Sequence, residues 1–159
     1  MDHVAILRKA RISKNDNLLG DILIGKKKIE SRWYVNKISP WNQLNVGDHV
    51  YFKESGCSVT AVAVVSDVLQ FENLTKESIK EILQKYGSKI APGTTDEKLQ
   101  KWGDKLINKR YCILVFLENV QKLEPFEINK KGYGISSAWL CVGKIESVRI
   151  SSTSPQTTS

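Results

Sequence analysis

The chain has 159 residues, of which 41% are hydrophobic and 26% are charged, and its formal net charge is +7. This length and balance fit one globular domain with its own core. No apolar run approaches the roughly 18 residues of a membrane helix, and the N-terminus lacks the basic and apolar pattern of a signal peptide.

The first half of the chain predicts a strand, a helix and three further strands. Residues 3–8 form a short apolar strand, and Ser13 begins a helix that Gly25 ends. Strands follow at 28–34, 49–53 and 59–69. Because only loops separate these three strands, a mostly antiparallel, closed or partly closed sheet is favoured over a doubly wound α/β fold.

The second half predicts two helices and several extended segments. Thr75 begins a helix that Gly87 ends, and Thr95 precedes a third helix. Extended segments are predicted at 111–117, at 120–123 as a continuation or a new strand, and at 138–142 and 145–150. Residues 151–159 have no apolar anchor and are predicted to be a disordered tail. We therefore expect a single domain over 1–150.

Positive charge is concentrated near the N-terminus. Residues 1–37 contain nine Lys or Arg and four Asp or Glu, which gives this segment a net charge of +5 out of the total of +7. A local excess of this kind favours a polyanionic partner. A solvated, lysine-rich surface is the alternative.

A short charged motif, Gly25-x-Lys27-x-x-Glu30-x-Arg32, follows the first predicted helix and opens the next strand. Glu30 and Arg32 are two residues apart, so both side chains leave the same face of the strand. They can form an ordinary surface ion pair, or they can line a cleft together with Lys27. In a cleft, the two cations can bind phosphate, and Lys27 can instead act as a general base or nucleophile.

This motif, in its strand–helix–motif–strand context, resembles the G-x-K-x-x-E-x-R signature of the ASCH family. The Gly47-Asp48 turn into the strand at 49–53 is similar to the turn that the family has there. The resemblance covers residues 3–150, with poorer agreement at 88–108 and 125–142. It implies a PUA-like barrel with the motif residues in a cleft beside it, and it implies binding of RNA or a modified nucleotide.

The resemblance also implies an enzymatic alternative. One branch of the ASCH family hydrolyses the acetyl group of N4-acetylcytidine with the motif lysine, which Lys27 matches, and some members have been associated with ribonuclease activity. That branch has a threonine at the position of Glu30. Lys27 and Glu30 are the catalytic candidates if the protein is a hydrolase.

Aromatic and basic residues extend the predicted binding site. Tyr34 shares a strand face with the motif, and an aromatic ring beside basic groups can stack a base while the cations hold phosphate. Trp33 and Trp102 are expected to fill the core instead. The predicted ligand-binding set is Lys27, Glu30, Arg32, Tyr34, Trp41, Lys53 and Trp139.

Cysteine and histidine give no metal or disulfide pattern. Three widely spaced cysteines are typical of a reducing cytoplasm, and His3 and His49 have no ligand-like spacing to them and are expected at the surface or half-packed. We expect no metal, no cofactor and no membrane partner.

Together these features predict an α+β, PUA-like, mostly antiparallel β-barrel of five to six strands with two to three flanking helices. The predicted function is binding of RNA or a nucleotide-like ligand in a charged cleft. Hydrolysis at the same cleft is the alternative, and a protein-interaction domain in which the cleft is vestigial is a third possibility.

Overall fold

A computed structural model describes residues 1–8 and 17–150 of the chain. The strands and α-helices follow one another as β1 (Asp2–Leu7), α1 (Leu18–Leu23), β2 (Ile29–Tyr34), β3 (His49–Glu54), β4 (Val59–Phe71), α2 (Lys76–Ile90), α3 (Asp96–Lys105), β5 (Tyr111–Phe126) and β6 (Trp139–Gly143). Six strands and three helices confirm the predicted α+β class and its element numbers.

The strands form one mixed sheet that curls into a half-barrel, in the order β2-β5-β4-β3-β1-β6. β1 pairs with β3 in parallel, and the other neighbouring pairs are antiparallel. This order confirms the mostly antiparallel sheet. It leaves β2 and β6 at the two edges, and the charged motif lies on the β2 edge.

Two hydrophobic clusters lie on opposite faces of β2 and β5. The concave face of the half-barrel holds Phe52, Ile113, Val115 and Trp139 among others, and α1 covers part of it. The opposite face packs against α2 and α3, with Ile82 and Leu83 at the contact. Because side chains alternate along a strand, Trp33 faces the helices, where its ring lies 5.8 Å from that of Trp102.

The two long helices begin where the sequence predicts. Thr75 and Thr95 are the N-caps of α2 and α3, and each hydroxyl accepts a hydrogen bond from the backbone N–H three residues later. The prediction that Gly87 ends α2 is wrong, since the helix continues to Ile90. Gly87 serves a close helix contact instead, because a β-carbon there would lie 2.8 Å from the Cδ1 of Leu99.

Other differences concern the C-terminal third and the first helix. β5 is a single strand through residue 126, so the stretch at 120–123 continues it, with irregular register against β4. The stretch at 145–150, predicted to be extended, contains a 3-10 turn at 145–147 and one bridge between Ile128 and Arg149. Asn17 is the N-cap of α1. The predicted cap Ser13 and the predicted tail 151–159 lie outside the described residues.

Candidate functional site

The three charged motif residues come together where β2 begins. Gly25 adopts a φ of 80°, which glycine tolerates best, and turns the chain after α1. Lys27 follows this turn, and Glu30 and Arg32 lie on the same face of β2. Lys27 is 2% exposed, Glu30 4% and Arg32 3%. All three side chains therefore lie inside the protein and not at its surface.

Lys27 is held by three acceptors. Its Nζ lies 2.6 Å from the carbonyl oxygen of Ile29, 2.6 Å from that of Ile90, and 3.2 Å from Oε1 of Glu30. An ammonium group has three N–H donors, so these contacts match its full donor capacity. A lysine held in this way has no free lone pair to act as a base or nucleophile.

Glu30 bridges the two cations. Its Oε1 contacts Lys27, and its Oε2 accepts a hydrogen bond of 2.7 Å from a terminal nitrogen of Arg32. Buried charges are tolerated when they are paired and hydrogen-bonded. The carboxylate thus balances part of the positive charge that Lys27 and Arg32 bring into the interior.

Arg32 spans the gap between the β2 edge and the other side of the half-barrel. One terminal nitrogen donates to the carbonyl oxygen of Ala138, just before β6, and the other donates to that of Ile6 in β1. The guanidinium lies 5.2 Å from the ring centroid of Trp139. The Nε of Arg32 is buried and has no hydrogen-bond partner. One side chain therefore ties three segments together.

His3 forms a second buried polar network on the same concave face. Its Nδ1 accepts a hydrogen bond of 3.1 Å from Nε1 of Trp139, and its Nε2 lies 2.9 Å from Oδ2 of Asp48. Because the indole N–H only donates, Nδ1 of His3 must be unprotonated and Nε2 carries the proton. The expectation that His3 lies at the surface or is half-packed is wrong, since it is fully buried; His49 is exposed.

For His3 the effect of burial on the pKa is larger than that of its hydrogen bonds, and for Asp48 the hydrogen bonds together outweigh burial. Burial lowers the pKa of His3, and the Asp48 carboxylate offsets only part of that effect. Burial alone would raise the pKa of Asp48. Hydrogen bonds from His3, from the backbone N–H of Asn45 and from the α-amine outweigh it and leave the pKa of Asp48 below its ordinary value. The pair is therefore a neutral imidazole against a carboxylate.

The remaining predicted ligand-binding residues are dispersed. Trp139 is 1% exposed and belongs to the concave core. Lys53 is half-buried on β3, beside Ile6 in the register of β1 and β3. Tyr34 and Trp41 are half-buried at the far end of β2 from Lys27. Trp139 lies beside Arg32. Tyr34 and Trp41 lie in a separate group of side chains.

That separate group is centred on Trp41, in the loop between β2 and β3. The ring of Trp41 lies 5.2 Å from that of Tyr111, at an interplanar angle of 68°. The Nζ of Lys37 lies 5.7 Å from the Trp41 ring centroid and 5.6 Å from the Tyr111 centroid. Neither Lys37 nor Tyr111 belongs to the ligand-binding set that the sequence predicts. Tyr111 lies opposite Tyr34 in the sheet, but this position can be inferred only once β2 is known to pair with β5.

Two cavities of about 440 Å³ lie elsewhere. One is a groove between α2 and α3 with a floor of Ile79, Leu83 and Leu99, and Lys76, Lys80, Asp96 and Asp104 at its rim. The other is a shallow polar depression between β4 and β5, beside His49. Neither includes a residue of the charged motif.

The described residues contain neither a cluster suited to a metal ion nor a helix suited to a membrane. Residues 1–8 and 17–150 contain no group of three or more His, Cys, Asp or Glu side chains placed to hold a metal ion. Within the same ranges, no helix combines the length and apolar character needed to cross a membrane.

Comparison with solved structures identifies the fold. A single-residue variant of the ASCH protein from Zymomonas mobilis aligns with a TM-score of 0.61 and 14% identity, over 92% of this chain and 93% of that chain. ASCH from Zymomonas mobilis aligns with a TM-score of 0.55 and 16% identity, over 79% and 73%. No family model and no curated protein sequence matches. The suspected resemblance to ASCH domains is thus confirmed as a likeness of fold.

Proposed function

We propose that this chain, whose fold is that of ASCH domain structures, binds RNA or a nucleotide-like ligand. The observation that carries the proposal is a set of four exposed basic residues that adjoin the buried motif along the chain or through backbone hydrogen bonds, here called the basic rim. The rim consists of Arg8, Lys26, Lys28 and Lys89, all exposed. Clustered exposed cations supply the electrostatic term on which binding of a phosphate backbone depends.

Backbone contacts place the rim residues around the motif. Lys26 and Lys28 flank Lys27 in sequence, and the backbone N–H of Lys28 donates to the carbonyl oxygen of Lys89 at 3.0 Å. Arg8 is two residues beyond Ile6, whose carbonyl oxygen accepts from Arg32.

In this proposal the buried motif positions the rim, and the rim contacts phosphate. Lys27 fixes the turn that presents its two neighbours, while Arg32 holds β1 and therefore Arg8. A ligand that contacted Lys27 or Glu30 directly would have to replace a hydrogen-bond partner that the side chain already has. The same holds for the terminal nitrogens of Arg32. The Nε–H of Arg32 has no hydrogen-bond partner among the described residues, so it is the donor that a ligand atom would satisfy without such a replacement.

The test is the salt dependence of RNA binding. Each phosphate contact releases counterions, so the affinity for single-stranded RNA should fall steeply between about 50 and about 300 mM NaCl. A double variant, Lys26→Gln with Lys28→Gln, should reduce the slope of log K against log salt by about two. The matched control is Lys98→Gln with Lys101→Gln, which removes two exposed lysines from α3. A flat salt response, or equal effects of both double variants, would overturn the proposal.

Hydrolysis at Lys27 remains the enzymatic hypothesis, and the geometry gives it no comparable support. The three acceptors around Lys27 occupy the donors of its ammonium group. The discriminating assay is incubation with N4-acetylcytidine and with single-stranded RNA, with and without a chelator. Binding without any product would remove the hypothesis.

A further inference from the structure

The loop between β2 and β3 is fixed on both sides of Trp41. The backbone N–H of Trp41 donates to the carbonyl oxygen of Ile38 at 2.9 Å. The next residue, Asn42, exchanges two hydrogen bonds of 2.7 Å with the side chain of Gln70 in β4, one through its backbone N–H and one through its amide oxygen. These contacts hold Trp41 in one place before any ligand arrives.

Two aromatic rings meet at this point beside a lysine, and a third aromatic residue is their neighbour in the sheet. Trp41 and Tyr111 are in edge-to-face contact, Tyr34 lies opposite Tyr111 in the register of β2 and β5, and all three are half-buried. The ammonium of Lys37, an exposed residue, lies within 6 Å of two of the rings, which is the range of a cation–π contact. We call Lys37, Trp41 and Tyr111 the aromatic notch.

The border of the notch is basic and partly apolar. The backbone N–H of the exposed Arg110 donates to the carbonyl oxygen of Tyr34 at 2.9 Å, and its guanidinium donates to the carbonyl oxygens of Ile107 and Lys109. Val35 and Ile38 are each 52% exposed. Aromatic faces next to apolar surface and cations are the elements with which proteins bind unpaired bases of single-stranded nucleic acids.

We propose that the aromatic notch stacks one unpaired nucleobase of a single-stranded nucleic acid, with Lys37 and Arg110 at the adjoining phosphates. This inference rests on the proposed function, since it assumes that one nucleic-acid strand contacts both the basic rim and the aromatic notch. The rim lies at the start of β2 and the notch at its end. Six residues of strand span about 20 Å, which is at most about six nucleotides, because about 3.4 Å is the spacing along a stacked duplex and an unstacked strand extends further per nucleotide.

The experiment separates base from backbone. Wild type, Trp41→Leu, Trp41→Tyr and Lys37→Gln are titrated with an oligothymidylate of about 12 nucleotides, twice the estimated span, and with an abasic sugar–phosphate strand of equal length. Trp41→Leu should weaken binding of the oligothymidylate about five- to tenfold and leave binding of the abasic strand unchanged. Trp41→Tyr should restore most of the affinity because it keeps an aromatic face.

The outcomes distinguish the two proposals. If Trp41→Leu binds both strands as wild type does, the notch has no stacking role, while the proposed function stands. If wild type binds neither strand, the inference fails, and the salt dependence of single-stranded RNA binding decides the proposed function separately. Should Trp41→Leu not fold, as judged by circular dichroism, Lys37→Gln decides: it changes an exposed side chain and should weaken the oligothymidylate at least twofold, and an unchanged affinity would overturn the inference. Lys105→Gln, on the exposed face of α3, is the charge-matched control.

Discussion

The ammonium of Lys27 lies 2.6 Å from the carbonyl oxygen of Ile90, the last residue of α2. The last carbonyls of a helix have no partners within it, and a cation near them is favourable. Lys27 thus caps α2 while it also contacts Glu30 in β2. Lys27, which the sequence predicts to face a ligand, therefore links the end of α2 to β2.

Replacing Lys27 should lower the stability of the protein. Lys27→Met keeps the apolar stem but leaves two carbonyl groups and one oxygen of Glu30 without the ammonium, so the free energy of unfolding should fall by about 3 kcal/mol. Urea denaturation measures the change. Lys26→Met, at the exposed neighbouring position, should change stability by no more than about 0.5 kcal/mol. Equal stabilities for the two variants would contradict the capping role.

Arg32→Lys should loosen the contact between β2 and the other side of the half-barrel. Lysine keeps the charge but has no planar fork with which to reach Ile6, Ala138 and Glu30 together. We expect a loss of about 2 kcal/mol in unfolding free energy. Amide hydrogen exchange should become faster in β1 and in the segment leading into β6. Uniformly unchanged exchange there would show that Arg32 does not hold these segments.

Stability should decrease as the pH falls below about 6.5, the ordinary pKa of histidine. The pKa of His3 is lowered in the folded state, so the unfolded chain binds a proton first, and folding is penalised between the unfolded pKa and the lower folded one. The slope attributable to one proton is at most about 1.4 kcal/mol per pH unit.

The free energy of unfolding of wild type, His3→Gln and His49→Gln is measured by urea denaturation at pH values from about 7.5 to about 5, which bracket the ordinary pKa of histidine. The slope should be smaller in His3→Gln, because glutamine does not titrate and can still accept from Trp139 and donate to Asp48. His49→Gln removes the other histidine, which is exposed and lies 3.6 Å from an oxygen of Asp2, and is the comparison variant. Identical slopes in all three proteins would rule out His3 as the titrating group.

Gly87→Ala should destabilise the contact of α2 with α3. A β-carbon at this position would lie 2.8 Å from Leu99 Cδ1, so Leu99 must shift in a packed site. We expect a net loss of about 1 kcal/mol, because the overpacking exceeds the gain in helix propensity. Ser88→Ala, on the exposed side of the same helix, should be neutral or slightly stabilising. A stabilised Gly87→Ala would show that Leu99 adjusts freely.

Local signals predicted most of the fold. Alternation identified β2 and the shared face of Glu30 and Arg32, and threonines marked the starts of α2 and α3. Gly87 was misread because a glycine needed for close packing looks, in sequence, like one that ends a helix.

The environment of the charged motif depended on distant residues. Ile90 is 63 positions from Lys27, and Ala138 is 106 positions from Arg32. Asp48 is likewise 45 positions from His3. No pattern around Lys27 or Arg32 indicates which carbonyls will surround them, so the sequence predicts that charges gather but not that they are buried.

The position of β1 between β3 and β6 has a consequence for how the protein is made. On the ribosome, the first strand emerges early and can pair with β3, but its second neighbour is synthesised almost at the end of the domain. Closing so large a loop is slow. Until then, one side of β1 offers unpaired N–H and C=O groups that can recruit other chains, so a chaperone that shields this edge should raise the yield of folded domain.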